Sequence, residues 1–340
     1  MKKTSRLLAL SLALAMVLAL AGCTSGGSTA TATPTATPAP TEQASFSVGI
    51  IQYVEHAALD ASREGFVQAL ADNGYVEGQN LTLDLQNAQA DQNNLKTISQ
   101  RFVNNKVDLI LAIATPAAQA MASETTEIPI LGTAITDYVA AKLVDSNEAP
   151  GGNVSGTTDM NPVKEQIDLL VKLVPDVKTV GILYTSSEDN SVVQANMVKE
   201  ACEALNLAVE EATVTSVNDV QQAAQSLVGK VDAIYIPTDN ILASAMPVVS
   251  TVTNEAKIPT ICGESNMVLA GGLATLGINY YNLGYQTGEM AVRLFKGEAK
   301  ISEMPIESLT NYDFTINGEV AKTIGVTIPE DLQQYVVNPS

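Results

Sequence analysis

The chain has 340 residues, with 18 Lys and Arg against 37 Asp and Glu, a formal net charge of −19. A surface that acidic repels phosphate backbones, and no basic cluster reverses it, which excludes nucleic-acid binding. One histidine, three cysteines and no Cys/His cluster argue against a transition-metal site, and with no phosphate-binding loop or nucleophile elbow no cofactor is expected.

Lys2, Lys3 and Arg6 precede an uncharged apolar run over 7–20 that ends in Leu20-Ala21-Gly22-Cys23. Basic, apolar and small-residue segments in that order predict a secretory signal over 1–22, and the apolar run is short for a bilayer span. The last four residues resemble a bacterial lipobox. That resemblance implies that Cys23 is lipidated, becomes the mature N-terminus and anchors the chain outside the cytoplasm, on the outer face of the cell membrane. Without Lys2, Lys3 and Arg6 the mature chain has 15 basic and 37 acidic residues, a net charge near −22. Residues 23–45, centred on Thr-Ala-Thr-Pro-Thr-Ala-Thr-Pro-Ala-Pro, have no large apolar side chain to bury and are predicted to be a solvated tether.

About 295 residues from Phe46 onward suit two domains of ordinary size. A strand is predicted over 48–52, then a helix over 57–73 with Leu59, Phe66 and Leu70 on one stripe and Gly74 as its stop. A strand over 81–86 follows, then a helix marked by Leu95, Ile98 and Phe102, then strands over 107–113 and 128–135 apolar enough to be buried on both faces. Pro150-Gly151-Gly152-Asn153 closes this series, and 154–158 leads into a second lobe. There the alternation restarts with helix 162–173, strand 179–183, helix 191–205, strand 208–213 and helix 218–229. It continues with strand 231–236, helix 240–256, strands 259–262 and 273–278, and a helix running to Phe295 before Gly297. Such alternation predicts an α/β fold of two Rossmann-like lobes with parallel sheets. Cys202 and Cys262 fall in a helix and a strand and are expected as separate buried thiols, with a bridge left open by an oxidising compartment.

A narrower pattern runs through 49–60 (Gly-Ile-Ile-Gln-Tyr-Val-Glu-His-Ala-Ala-Leu-Asp), Ala114-Thr115-Pro116-Ala117-Ala118-Gln119, Ala134-Ile135-Thr136-Asp137 and Pro150-Gly151-Gly152-Asn153-Val154-Ser155-Gly156. It goes on through Gly181-Ile182-Leu183-Tyr184, Ile236-Pro237-Thr238-Asp239-Asn240 and Leu276-Gly277-Ile278-Asn279-Tyr280-Tyr281. In this order the segments resemble the solute-binding lipoproteins of ABC importers in the tryptophan/tyrosine-binding family; Ala57 departs, standing where such relatives often carry proline. The resemblance implies a type I periplasmic-binding-protein fold with a three-stranded hinge crossing near 155–158, 279–281 and 300–304. Lobe one would then be 46–157 with 281–302, and lobe two 158–280 with 303–340. It also implies an amino-acid-like ligand, aromatic side chains favoured, an ABC permease and its ATPase as partners, and a monomer that performs no chemistry.

Ligands of open α/β sheets bind outside the carboxyl ends of the strands, so the candidate residues lie in strand-to-helix turns. Gln52, Glu55 and His56 follow the first strand; Thr115 and Ala117 lie at a helix start that favours a carboxylate, unless Thr115 only caps it. A buried ammonium needs an opposite charge, which Asp137 after Thr136, Asp239 or Glu264 could supply, Asp239 being preferred; each could instead be an N-cap. Tyr184, Ser186, Ser187 and Asn190 form a polar loop that closes over a ligand or is simply solvated. Tyr53, Tyr184, Tyr280 and Tyr281 offer aromatic walls, the last two equally suited to hinge packing. His56 has only Asp60 as a possible partner and no nucleophile beside it, which leaves no catalytic constellation. The expected action is closure of two lobes on a ligand, feeding a permease or, alternatively, signalling to a membrane sensor.

Overall fold

The computed structural model describes residues 45–339. The expected signal, Cys23 and all of the tether before residue 45 lie outside the described residues. Among the described residues no helix is long and apolar enough to cross a membrane.

The first lobe is built from β1 (Phe46–Gln52), α1 (Ala57–Asp72), β2 (Leu81–Asn87), α2 (Gln92–Asn105), β3 (Leu109–Ile113), α3 (Thr115–Glu124), β4 (Ile130–Ile135) and β5 (Val154–Thr158). The second contains α4 (Val163–Leu173), β6 (Thr179–Thr185), α5 (Asp189–Ala204), β7 (Ala208–Val214), α6 (Val220–Leu227), β8 (Ala233–Ile236), α7 (Asn240–Ser244) and α8 (Met246–Glu255). It continues with β9 (Thr260–Cys262), α9 (Ser265–Leu269) and β10 (Ala274–Gly277). Then α10 (Tyr280–Phe295) and β11 (Glu307–Ser308) return to the first lobe, and β12 (Asp313–Asn317), α11 (Gly318–Ile324) and β13 (Val336–Val337) finish the second.

Both sheets use the same winding. The first has the order β11-β5-β4-β3-β1-β2 and the second β13-β12-β10-β9-β8-β6-β7, parallel except where β12 runs antiparallel to β10. Central strands such as β3 are buried along their whole length, as near-continuous apolar runs require when helices cover both faces. One apolar core fills the first lobe, and two clusters on opposite sides of the sheet fill the second.

Three differences from the sequence reading have local causes. Residues 154–158 are not a crossing but β5, paired with β4, and the chain leaves the lobe at 159–162. Residues 303–308 stay on the first lobe because Glu307 and Ser308 pair with Thr157 and Thr158, so the third crossing falls at 309–312. The single helix expected over 240–256 is two, α7 and α8, because Pro247 has no N–H to continue a ladder and sits in the first turn of α8.

After the second crossing, α10 lies against α1. This contact depends on backbone approach: a Cβ at Gly65 would meet the Tyr281 carbonyl and one at Gly284 the Ser62 carbonyl. The Ser62 hydroxyl donates to the Tyr280 carbonyl at 3.1 Å, tying the start of α10 to the first lobe. Cys202 and Cys262 are both buried and free.

Candidate functional site

The carboxyl ends of the two sheets face each other across a narrow, nearly closed cleft. The first lobe contributes His56, Leu59, Ala134 and Thr136, and the crossings contribute Asp159 and Tyr280. The second lobe contributes Asn190, Thr238, Asp239, Asn240, Ala243 and Glu264. These positions surround the points where the strand order reverses around β1 and β6, the expected binding crevice of doubly wound sheets. An open groove between α4 and α5, lined by Met197, Ala201 and Leu205, lacks such converging buried polar groups.

The lobes touch through polar contacts. His56 Nε2 lies 3.4 Å from Asn240 Oδ1, Thr136 Oγ1 lies 3.4 Å from Thr238 Oγ1, and Gln194 Nε2 donates to Thr136 Oγ1 at 3.3 Å. Outside the cavity, Gln119 Nε2 donates to Asp189 Oδ2 at 2.8 Å. A register shift in β4 and a left-handed backbone at Ala134, with φ 55°, accompany the turn of this strand end into the cleft.

Among the described residues, four carboxylates are buried in or beside this space and no Lys or Arg lines it. Asp239 accepts from the Thr185 hydroxyl and Leu242 N–H on one oxygen, and from Thr185 N–H and the Ser191 hydroxyl on the other. Its lone pairs are committed to holding β6, α5 and α7 together. Glu264 caps α9 through Asn266 and Met267 N–H groups at 2.6 and 2.8 Å. Asp159 takes one hydroxyl on each oxygen, Thr136 at 2.9 Å and Tyr280 at 2.6 Å. Glu188 accepts on Oε2 from Asn240 Nδ2 and Asn190 Nδ2, whereas its buried Oε1 has no protein donor.

Burial disfavours charge at each of them. It raises Asp159 and Asp239, pushes Glu264 up to about 7, and raises Glu188 with help from the neighbouring charge of Asp239. Burial lowers His56 to about 4, so the ring is neutral at pH 7. Among the described residues no group of His, Cys, Asp and Glu is arranged to hold a metal.

Of the residues expected from sequence, His56, Thr136, Asn190, Asp239 and Glu264 meet in the cleft. Gln52 is instead consumed in the first lobe, donating to Val54 O and Asp60 and accepting from Arg63, and Glu55 is exposed. Thr115 and Ala117 are buried in the lobe; Ala114, with φ 81°, takes the N-cap position and Thr115 is the first helical residue. Asp137 accepts from Val139 and Ala140 N–H groups in a local turn away from the cavity. The Tyr184 hydroxyl donates to Glu211, the Ser186 hydroxyl to Val214 O, and Ser187 is exposed. Sequence reasoning missed Asp159, Thr238 and Asn240. The last two flank Asp239, and Asp159 sits in the polar run Thr157-Thr158-Asp159-Met160-Asn161 that carries the first crossing.

Two similarly wound lobes, three crossings and a buried polar cleft define a protein that encloses a small molecule between its halves. Residues 47–338 match the family model described as ABC transporter substrate binding protein, and the chain belongs to that family. It is thus a binding component of ABC transport rather than an enzyme, working outside the cytoplasm with a membrane permease. The chain is 43% identical over 278 residues to a "Tyrosine-binding protein" of Clostridioides difficile (strain R20291), covering 82% of this chain and 80% of that one. It is similar to the crystal structure of an ABC domain from Streptococcus pneumonia in complex with L-Trp, with TM-score 0.84, 39% identity, and coverage of 86% of this chain and 100% of that one. It is also similar to the ligand-free, open structure of a substrate binding protein with adhesive properties from Clostridium difficile. That match has TM-score 0.67 and 45% identity, with coverage of 87% of this chain and 100% of the other. Superposition is better on the L-Trp complex although fewer residues are identical, in keeping with the contacts that draw the two lobes together here.

Proposed function

We propose that this chain captures an aromatic amino acid between its lobes and delivers it to an ABC permease. The observation that carries the reading is a cleft lined by three buried carboxylates, with Glu188 buried beside it and no Lys or Arg lining it among the described residues, an environment that favours a ligand bearing an ammonium group. The names of the similar tyrosine-binding and L-Trp-bound proteins support the aromatic class. His56, Thr136, Asp159, Asn190, Thr238, Asn240, Glu264 and Tyr280 line the site, with Glu188 buried behind Asn190, and the segments 159–162, 278–279 and 309–312 are the hinge. The protein acts as a monomer held to the membrane by a lipid on Cys23, with residues 24–44 as spacer.

A thermal-shift panel of the free amino acids tests the ligand class. Saturation at a thousand times Kd adds about 4.1 kcal/mol of stability. Tyrosine, tryptophan or phenylalanine should give the largest shifts; a shift only with sugars or nucleosides would refute the assignment. Membrane partitioning of Cys23→Ser, expected to release the protein into the soluble fraction, tests the anchor.

A further inference from the structure

Glu188 Oε1 and Asn190 Oδ1 are two buried acceptors without a protein donor, in side chains 2% and 5% exposed. Buried acceptors left in this state are costly, so a donor is required when the lobes are together. The two groups are neighbours: Asn190 Nδ2 donates to Glu188 Oε2 at 3.2 Å and to Thr238 O at 3.0 Å. Nδ2 also donates to Ser191 Oγ at 3.3 Å, whose own proton goes to Asp239, so all three partners accept, which fixes the amide orientation and leaves Oδ1 as its free end. Asn190 lines the cleft with Glu188 buried against it, Asp239 stands beside them, and among the described residues no Lys or Arg lines the cavity, so the donor that fits is cationic. Asp239 itself has no lone pair to spare, since four protein donors occupy it.

We infer that Glu188 Oε1 and Asn190 Oδ1 form the subsite for the ligand's primary ammonium group, making Glu188, rather than Asp239, the residue that selects for an amine. This rests on the amino-acid reading above. Closure then places two N–H bonds of the ligand on acceptors that the protein leaves open, and the lobes gain these bonds only with an amine present.

The test is calorimetric titration of the wild type, Glu188→Gln and Asn190→Ala with L-tyrosine, L-tryptophan and their des-amino analogues, 3-(4-hydroxyphenyl)propionate and indole-3-propionate. Gln is isosteric and carries its own N–H, so it would satisfy Asn190 Oδ1 if that were all the site required. Glu188→Gln is expected to weaken the amino acids by roughly ten- to a hundredfold, the range for a charged hydrogen bond, and the des-amino analogues little. The preference for an amine should therefore collapse. Asn190→Ala should reduce the same preference more mildly, and it carries the test if the Glu188 variant does not fold. An amine preference intact in both variants would overturn the inference and leave Glu188 as a protonated acid bonded to Asn190. Failure of the wild type to bind any amino acid would instead remove the ligand class, and the inference with it.

Discussion

Gln119→Ala removes a contact that exists only when the lobes are together and does not touch the ligand, along with a bond to Ala141 O within the first lobe that is present in both states and so cancels. Gln119 Nε2 on α3 donates to Asp189 Oδ2 at the first residue of α5, at 2.8 Å, and neither residue lines the cavity. Asp189 is exposed and Gln119 half-buried, so the bond is worth the ordinary net of about 0.5–1.5 kcal/mol rather than the value of a buried charged pair. That energy belongs to the closed state alone, so its loss lowers the closed population by a factor of about two to thirteen. Because ligand meets the open form, kon should be unchanged and koff should rise by the same factor for every ligand. The chain has no Trp, so stopped-flow fluorescence of L-tryptophan, excited where its ten tyrosines absorb little, reports release, and L-tyrosine release is followed by L-tryptophan replacing it. An unchanged koff, or a change that differs between tryptophan and tyrosine, would refute the reasoning, since a latch outside the cavity cannot distinguish ligands.

Asp239→Asn should destabilise the second lobe by about 1–3 kcal/mol, because an amide N–H₂ must face Thr185 N–H or Leu242 N–H, both donors; urea unfolding measures this, and an unaltered midpoint would refute the structural role. Gly284→Ala should lower stability by about 1–3 kcal/mol despite the better helix propensity of Ala, because its Cβ runs into the Ser62 carbonyl; a rise in Tm would show that α1 and α10 can separate without penalty. Glu264 is raised from 4.5 to about 7 in the closed cleft, so closing takes up a proton and is disfavoured as pH rises through 7. His56, lowered from 6.5 to about 4, opposes this only below pH 6.5, so the radius of gyration of ligand-free protein should grow between pH 6.5 and 8, more weakly in Glu264→Gln; a flat scattering profile in the parent would refute it.

The alternation of strand and helix was legible because apolar period and turn residues are local signals, and they located both sheets and most helices within a few residues. Crossings were less legible. Val154-Ser-Gly-Thr-Thr reads the same whether it pairs with β4 or leaves the lobe, and only the β4 register decides. The short β11 has two residues, too few to carry a period, so the third crossing was misplaced. In the site, the rule about carboxyl ends of strands found the correct turns but not the work done in them. Asp239 and Asp137 lie in turns of similar composition, yet one holds four donors at the cleft and the other closes a local turn away from it. Asp159 carries no such signature, because its importance comes from Thr136 and Tyr280, residues 23 and 121 positions away, meeting at one carboxylate.

The same carboxylates that mark the cleft also make its closure conditional. Bringing the lobes together removes water from Asp159, Glu188 and Glu264, each of which responds to burial by holding its proton more tightly. The polar contacts across the cleft, at His56, Thr136 and Gln194, are neutral and individually modest, so they do not by themselves offset several desolvated charges. A cation supplied from outside changes that balance, because it neutralises negative potential only in the closed arrangement and therefore has a differential affinity for it. A neutral molecule of the same shape would fill the space but leave the charges unpaired. Selectivity and closure thus arise from one electrostatic cause, and a variant that closes without ligand should be found by neutralising an acid rather than by enlarging the apolar contact between lobes.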